Sequence, residues 1–122
     1  MKFLGTGSAL PKKVVSNDDL AQVMDTSDEW IRSRTGIGMR HIAVEETTTS
    51  MAVEAAEKAL ADAKISGCEI DLIIAGTISP DYIFPSLACE VQAAIGAKSA
   101  TAFDLSAGCS GFLFALATAD AY

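Results

Sequence analysis

The sequence predicts an α/β fold, in which helices lie on a sheet of buried strands. Two short apolar runs, at residues 71–76 and 100–105, have the length and composition of strands covered on both faces. An alanine-rich stretch with helical spacing, at residues 50–64, precedes them. Hydrophobic residues make up 50% of the 122 residues but aromatic residues only 7%, which suits close packing of helices on a sheet. We therefore expect one α/β unit without an internal domain boundary.

The chain is expected to begin with a strand and a short helix. Residues 2–4 fit the start of a strand that breaks at Gly5, where glycine allows a tight exit from the sheet. Asn17 is the predicted N-cap of the first helix, and Asp18 and Asp19 would face its positive end. The apolar stripe of this helix would be Leu20, Val23 and Met24.

A second helix is predicted from a capping-box pattern at residues 26–29. In this pattern Thr26 and Glu29 each satisfy a backbone donor at the start of the helix. The helix would carry Trp30 and end at Gly36.

The longest helix is predicted over residues 50–64. Its apolar face would consist of Ala52, Ala55, Ala56, Ala59, Leu60 and Ala63. Glu54 and Lys58 are four residues apart on the other side, where we expect them to form an ion pair. Because the apolar face is mostly alanine, this helix should pack closely against its neighbour.

The central part of the chain predicts a strand followed by a helix. A turn at Gly67 precedes the strand at 71–76. After a loop, Pro85 and Ser86 can open another helix, and Gly96 is well placed to end it. The inward residues of that helix would be Leu87, Val91, Ala94 and Ile95.

The last predicted elements are the strand at 100–105 and a helix that begins at Cys109. Residues 109–116 are apolar nearly all round, as in helices buried inside a larger fold. Such a helix needs neighbours on every face, and the pattern supplies only about three strands and their covering helices. We therefore expect further residues or a second chain to cover it.

Charge and hydropathy exclude two classes of function. The net charge is -7 and there is no run of Lys or Arg, so we expect neither a nucleic-acid partner nor binding to an anionic membrane. No stretch approaches the roughly 18 apolar residues that span a bilayer, and the first residues do not form a signal-peptide core. The sequence thus predicts a cytoplasmic protein.

The three cysteines do not form a disulfide or zinc pattern. Cys68, Cys89 and Cys109 are odd in number and lack metal-ligand spacing, so no metal site is expected and free thiols are predicted. Cys68 in a surface turn and Cys89 beside alanines on a helix are interpreted as structural residues.

Cys109 lies at a predicted junction between a buried strand and a buried helix, with Gly108 before it and Gly111 after it. At such a junction backbone N–H groups and the positive end of a helix stabilise a thiolate, and they can also hold an oxyanion. Free cysteines are, however, commonly buried as packing residues. The local pattern alone is compatible with either role.

Several motifs together resemble a known family. Residues 103–112 read FDLSAGCSGF, and residues 26–31 and 34–37 read TSDEWI and RTGI. Residues 5–8 (GTGS) and 84–86 (FPS) also fit, in the expected order and close to the expected spacing. These motifs are similar to those of the β-ketoacyl-acyl carrier protein synthase III family, and the match spans nearly the whole chain.

The resemblance implies a thiolase-like fold built from two similar βαβαβαββ halves, each a mixed sheet with helices on both faces. Residues 1–122 would form most of the first half, an incomplete amino-terminal domain, and the carboxy-terminal half would be absent. The family's histidine and asparagine that promote decarboxylation would lie beyond this chain, so the piece alone is expected to be inactive. Two positions depart from the family: Gly108 stands where alanine is more usual, and Gly38 where a charged residue is common.

The resemblance also implies a reaction and roles for five residues. Cys109 would take an acyl group from acyl-CoA and then pass it to the carbanion that malonyl-acyl carrier protein forms on losing CO2. Trp30 would stack on the adenine of CoA, with Thr26 and Arg34 near the nucleotide and phosphates. Phe84 would reach across a homodimer interface to line the partner's acyl pocket. The CoA thioester would be a substrate, and no tightly bound cofactor is implied.

Other interpretations stay open at this point. Taken singly, Thr26 could be only a helix cap, Arg34 only a solvated charge, and Trp30 and Phe84 only core residues. His41, the only histidine, does not match the family's histidine and is interpreted as an exposed, non-catalytic residue. The chain could be part of a condensing enzyme, part of another thiolase-fold acyltransferase that uses acyl-CoA, or a non-catalytic fragment or subunit that binds CoA.

Overall fold

The computed structural model describes residues 2–122 and divides into two units. The smaller unit is Leu10–Glu46, and the larger unit is formed by residues 2–9 together with 47–122. Among the described residues, no helix is both long and apolar enough to cross a membrane.

The smaller unit consists of two strands and two short helices. Strand β1 (Lys13–Ser16) runs into helix α1 (Asn17–Ala21), which is followed by α2 (Asp28–Thr35) and β2 (Met39–Ile42). The two strands pair antiparallel, with Lys13 opposite Ile42.

The two helix starts in this unit differ from the predictions by one residue. Ser16, not Asn17, caps α1, and it forms a capping box with Asp19. Ser27, not Thr26, caps α2, and its Oγ accepts the backbone N–H of Trp30 at 3.1 Å. In both cases the serine side chain accepts the backbone N–H of the third residue of the helix.

The predicted apolar stripe of α1 is wrong, because the helix ends at Ala21 before the stripe can form. Val23 and Met24 lie beyond the helix and are 77% and 54% exposed. The predicted end of α2 is confirmed: Gly36 adopts φ 73°, and its N–H donates to the carbonyl of Arg32.

The larger unit contains three helices and two strands. These are α3 (Thr48–Ala63), β3 (Leu72–Gly76), α4 (Leu87–Ile95), β4 (Thr101–Leu105) and α5 (Gly111–Ala121). Short 3-10 turns occur at Gly67–Glu69 and at Gly108–Ser110. The predicted helices and strands at 50–64, 71–76, 85–96 and 100–105 are therefore confirmed to within two residues.

The strands β3 and β4 pair in parallel, with Leu72 opposite Thr101 and Gly76 opposite Leu105. Helices cover both faces of this pair. Phe103 packs against Tyr122, at the end of α5, with 6.3 Å between the ring centroids. The next residue, Asp104, bonds to the first turn of α4. Because neighbouring side chains in a strand point to opposite faces, α5 and α4 lie on opposite sides of the pair.

The predicted strand at residues 2–4 is wrong. These residues form no strand, and Phe3 and Leu4 are 65% and 59% exposed. The segment that follows is held along α3 instead: Thr6 donates its backbone N–H to Asp62 at 2.9 Å, and Lys58 Nζ donates to the carbonyl of Ser8 at 3.0 Å. The backbone groups of Thr6 and Ser8 thus bond to side chains of α3, and not to the backbone of a neighbouring strand.

The predicted ion pair on α3 is confirmed, because Lys58 Nζ lies 2.6 Å from Glu54 Oε1. The buried apolar residues described in the larger unit are few, and they lie on α4 or just after it: Leu87, Ala88, Val91 and Ala97. By contrast, Phe112, Leu113 and Phe114 on α5 are 68%, 67% and 57% exposed. The expectation that further residues or a second chain cover this helix stays a prediction.

Candidate functional site

Cys109 lies in the 3-10 turn Gly108–Ser110, between the end of β4 and the start of α5, and it is exposed. The turn is closed by a hydrogen bond from the N–H of Ser110 to the carbonyl of Ala107 at 3.1 Å. The predicted junction of strand and helix is therefore present, but the α-helix begins two residues later than predicted, at Gly111. As a result the sulfur projects from the turn that leads into the helix, rather than from the helix itself.

The start of α5 supplies backbone donors near the sulfur. The first turn of an α-helix leaves N–H groups without intrahelical partners, and its end carries a partial positive charge. Ser110, at the cap position, makes no side-chain hydrogen bond to this turn. The N–H of Ser110 bonds to Ala107 and that of Gly111 to Gly108, so donors for an anion at the sulfur would have to be other main-chain N–H groups of this junction.

Three glycines shape the surroundings of Cys109. Gly108 adopts φ 51°, a left-handed conformation that glycine reaches without steric cost. Gly111 packs against Gly76 at the end of β3, where a Cβ on Gly76 would lie only 3.2 Å from the carbonyl carbon of Gly111. The close approach of these two backbones fixes the start of α5 against the strand.

Asp104 connects β4, the strand that leads to Cys109, to α4. Its Oδ2 accepts the N–H of Leu87 at 2.9 Å, and its Oδ1 accepts the N–H of Ala88 at 2.8 Å. The start of α4, and with it the FPS segment that precedes it, is thereby held by the strand that leads to Cys109. Sequence reasoning missed this role, although a carboxylate inside an otherwise apolar strand is a signal that it has a specific partner.

Phe84 lies in a loop with several exposed apolar side chains. It is 89% exposed and precedes a cis bond to Pro85. We call Ile78, Tyr82, Ile83 and Phe84 the apolar loop; its other members are 71%, 60% and 99% exposed. The loop is tied to α3 through Asp81, which accepts the N–H groups of Thr48 at 3.1 Å and Thr49 at 2.7 Å.

The residues expected to bind the nucleotide lie in the smaller unit. Trp30 is 53% exposed, and the guanidinium carbon of Arg34 lies 4.4 Å from the centroid of its ring. Trp30 also lines an open hollow with Asp25, Thr26 and Ser27. An aromatic face, a cation and hydroxyl groups are thus brought together on α2 and the residues before it, as a nucleotide site needs.

The other residues considered from the sequence are His41, Cys68 and Cys89. His41 Nδ1 lies 2.6 Å from the carbonyl oxygen of Pro11, and the predicted exposure of this residue is confirmed. Its interpretation as a non-catalytic residue stays a prediction. Cys68 is exposed in the predicted surface turn, with its sulfur 2.8 Å from Ser66 Oγ. Cys89 is half-buried on α4. In the described part of the chain, no group of three or more His, Cys, Asp and Glu residues is arranged to hold a metal ion.

No family model matches the sequence, but close relatives are found by direct comparison. The β-ketoacyl-[acyl-carrier-protein] synthase III of Streptococcus suis is 62% identical over 111 residues, which are 91% of this chain and 34% of that protein. The protein of the same name from Xylella fastidiosa is 54% identical over an alignment of 122 positions, which covers 99% of this chain and 38% of that protein. The chain thus spans little more than a third of the length of these relatives.

Solved structures extend the match to the fold. The 3-oxoacyl-[acyl-carrier-protein] synthase III of Aquifex aeolicus superimposes with a TM-score of 0.95 at 56% identity, over 98% of this chain and 39% of that one. The priming β-ketosynthase of the R1128 polyketide pathway gives a TM-score of 0.92 at 40% identity, over 97% of this chain and 36% of that one. The predicted α/β, thiolase-like fold and the resemblance to the amino-terminal part of these synthases are therefore confirmed.

Proposed function

We propose that this chain is the amino-terminal part of a β-ketoacyl-acyl carrier protein synthase III, the acyltransferase that starts type II fatty acid synthesis. The observation that carries the proposal is the exposed Cys109 in a turn at the start of α5, within a chain 54–62% identical to proteins of that name. An exposed sulfur beside main-chain donors suits nucleophilic attack on a thioester.

In the proposed reaction, the Cys109 thiolate attacks the carbonyl carbon of acyl-CoA, and the negative charge moves to the carbonyl oxygen. Main-chain N–H groups at the start of α5 stabilise that oxyanion. The oxyanion collapses, the bond to the CoA sulfur breaks, and the acyl group stays on Cys109. Malonyl-acyl carrier protein then loses CO2, and the resulting carbanion attacks the acyl-cysteine to release 3-oxoacyl-acyl carrier protein and the Cys109 thiolate. The histidine and asparagine that promote decarboxylation in this family lie outside the residues described.

The nucleotide of CoA would bind to the smaller unit. Trp30 offers the exposed face of its ring to the adenine, and Arg34 on the same helix supplies positive charge for phosphate groups in a chain whose net charge is -7. Thr26, in the hollow beside Trp30, would contact the nucleotide. CoA thioester is a substrate in this proposal, and no other cofactor is required.

The complete enzyme is proposed to be a cytoplasmic homodimer in which Phe84 lines the acyl pocket of the partner. The support from this chain is the apolar loop, whose four large side chains are each at least 60% exposed. Exposed apolar patches of this kind commonly mark contact surfaces. Phe84 would then lie in an interface and not in solvent.

A sibling enzyme is the second candidate, because structures with other names share the fold. A tetronic acid condensing enzyme superimposes with a TM-score of 0.87, although at only 30% identity. Such an enzyme would share the acyl-CoA half of the reaction and differ in its acceptor. A non-catalytic CoA-binding fragment is the remaining alternative, and a mass spectrum of the natural protein separates it from a two-half enzyme.

The test is to incubate the complete synthase that contains this chain with radiolabelled acetyl-CoA and to locate the label by peptide mapping. We expect one acetyl group on Cys109, none on the Cys109→Ser variant, and unchanged labelling of the Cys89→Ser control. Equal labelling of the wild type and Cys109→Ser would overturn the proposal. Condensation with malonyl-acyl carrier protein, or its failure with that acceptor, then distinguishes a synthase III from a sibling enzyme.

A further inference from the structure

Asn17 is the only polar residue among the fully buried side chains described, and it is 1% exposed. Its amide makes three hydrogen bonds. Nδ2 donates to Asp28 Oδ1 at 2.7 Å and to the carbonyl of Ile37 at 2.8 Å, and Oδ1 accepts from Arg40 Nη2 at 2.6 Å. A buried amide with all three bonds made holds its partners firmly, because each broken bond would leave a buried polar group unsatisfied.

The two bonds that Asn17 donates reach the two ends of α2. Asp28 is the first residue of that helix, and Ile37 directly follows its C-cap, Gly36. No residue of α2 is buried, so apolar packing does little to fix its orientation. One side chain therefore clamps an eight-residue helix at its start and just past its end.

Asp28 strengthens the clamp from the helix side. Both of its carboxylate oxygens also accept from Arg32 Nε, at 2.9 and 2.7 Å. The hydrogen bond from Asn17, followed by that from Arg32, lowers the pKa of Asp28 below its usual range. The carboxylate thus stays ionised and bonded to Asn17 at neutral pH.

We propose that Asn17 is a positioning residue for CoA recognition: by clamping both ends of α2, it sets the orientation of Trp30 and Arg34 toward the nucleotide. This inference rests on the proposed function. The two side chains share one helix and are already stacked at 4.4 Å, so a tilt of α2 moves them together. Asn17 itself does not touch the nucleotide in this arrangement.

Asn17→Asp is the informative variant, because it keeps the shape and the acceptor for Arg40 but loses both donated bonds. It is measured in the complete synthase with two acyl donors, acetyl-CoA and acetyl-pantetheine, of which only the first carries the nucleotide. We expect KM for acetyl-CoA to rise about tenfold, equivalent to about 1.4 kcal/mol. We expect KM for acetyl-pantetheine to change less than about twofold.

A rescue and a control make the test specific. In Asn17→Asp combined with Asp28→Asn, donor and acceptor are exchanged, so one of the two lost bonds can form again and KM for acetyl-CoA should partly recover. Thr47→Ala removes the capping box of α3 in the larger unit and serves as a destabilised control. It should lower the folded fraction without distinguishing the two donors.

A purely structural role for Asn17 predicts equal losses with both donors, as in the control, and that result would overturn the inference. If Asn17→Asp yields no folded enzyme, Asp28→Ala decides, because it breaks the same clamp at a side chain that is 40% exposed. If folded Asp28→Ala keeps the wild-type ratio of KM for acetyl-CoA to KM for acetyl-pantetheine, the inference is equally overturned. Failure of the wild type to acylate Cys109 would instead reject the proposed function itself.

Discussion

Asp104 on β4 accepts the backbone N–H of Leu87, 17 residues earlier in the chain, at 2.9 Å. Leu87 is 5% exposed, so water is a poor replacement acceptor for its N–H if the carboxylate is removed. The same carboxylate accepts the N–H of Ala88, which is fully buried. One side chain therefore holds together the strand that leads to Cys109 and the first turn of α4.

Replacing Asp104 with alanine should destabilise the protein by about 1–3 kcal/mol, because two buried N–H groups lose their acceptor. Asp104→Asn keeps one acceptor oxygen and should lose less. Urea unfolding followed by circular dichroism measures both. The matched control is Asp81→Ala, which removes a carboxylate that accepts two N–H groups at an exposed helix start. If Asp104→Ala lowers the free energy of unfolding by no more than this control, the two buried hydrogen bonds do not stabilise the fold as predicted.

Gly76→Ala should slow the reaction of Cys109 with iodoacetamide. The new Cβ would lie 3.2 Å from the carbonyl carbon of Gly111 and 3.3 Å from its oxygen, so the start of α5 must shift. Overpacking of this kind costs about 1–3 kcal/mol. Gly36→Ala is the control, since it introduces backbone strain at φ 73° but meets no atom within 4 Å. Peptide mass spectrometry separates alkylation of Cys109 from that of Cys68 and Cys89, and wild-type reactivity in folded Gly76→Ala would contradict the proposed constraint.

The ionised carboxylate of Asp81 should stabilise the larger unit, and this stabilisation should be lost in acid. Hydrogen bonds from the backbone N–H of Thr49, the largest effect, and from that of Thr48 lower the pKa of Asp81 from 3.8 to about 2. A folded-state pKa below the unfolded value stabilises the fold above about pH 4, and this contribution is lost as the pH falls toward 2. Urea midpoints between pH 5 and pH 2 should therefore fall less steeply in Asp81→Asn than in the wild type. Glu57→Gln, on the exposed side of α3, should keep the wild-type slope, and identical slopes in all three proteins would contradict the assignment.

Trp30→Ala should weaken CoA binding by about 0.5–2 kcal/mol, or roughly 2- to 30-fold in Kd, which is the range of a stacking or cation-π contact. Trp30→Phe keeps an aromatic face and should lose less. Titration calorimetry with CoA and with pantetheine tests whether the loss is specific to the nucleotide. Unchanged affinity for CoA in folded Trp30→Ala would count against the site.

Phe84→Asp should convert the complete synthase to monomers and lower its activity, because a charge would be placed in the proposed interface. Sedimentation velocity measures the oligomeric state. Val44→Asp is the control, since Val44 is an exposed apolar residue outside the apolar loop, at 68% exposure. A dimer that persists in Phe84→Asp would argue against this contact.

Elements defined by short-range signals were predicted well from the sequence. The helix α3 follows an alanine pattern within one segment, and Gly36 and Gly96 end α2 and α4 with φ values of 73° and 74°. The location of Cys109 between strand and helix was also evident, because β4, the turn and α5 follow one another directly. These features depend on residues a few positions apart, so periodicity and capping chemistry identify them.

The helix caps show where local reasoning stops. Asn17 and Ser16 are both residue types that cap helices well, and the sequence pattern predicted Asn17. In the structure, Ser16 caps α1 because the Asn17 amide is buried and bonded to Ile37, 20 residues away, as well as to Asp28 and Arg40. A preference decided by a distant partner has no signal in the neighbouring residues.

By itself the sequence determined the α/β class, the helices α3 to α5, the positions of the strands β3 and β4 and the motif around Cys109, because each is encoded within a contiguous stretch. The tertiary structure alone decided that residues 2–4 form no strand, that Asp104 holds the start of α4 and that Asn17 clamps α2. These are hydrogen bonds made or not made between residues far apart in the chain. Their partners become known only when folding brings them within about 3 Å of each other.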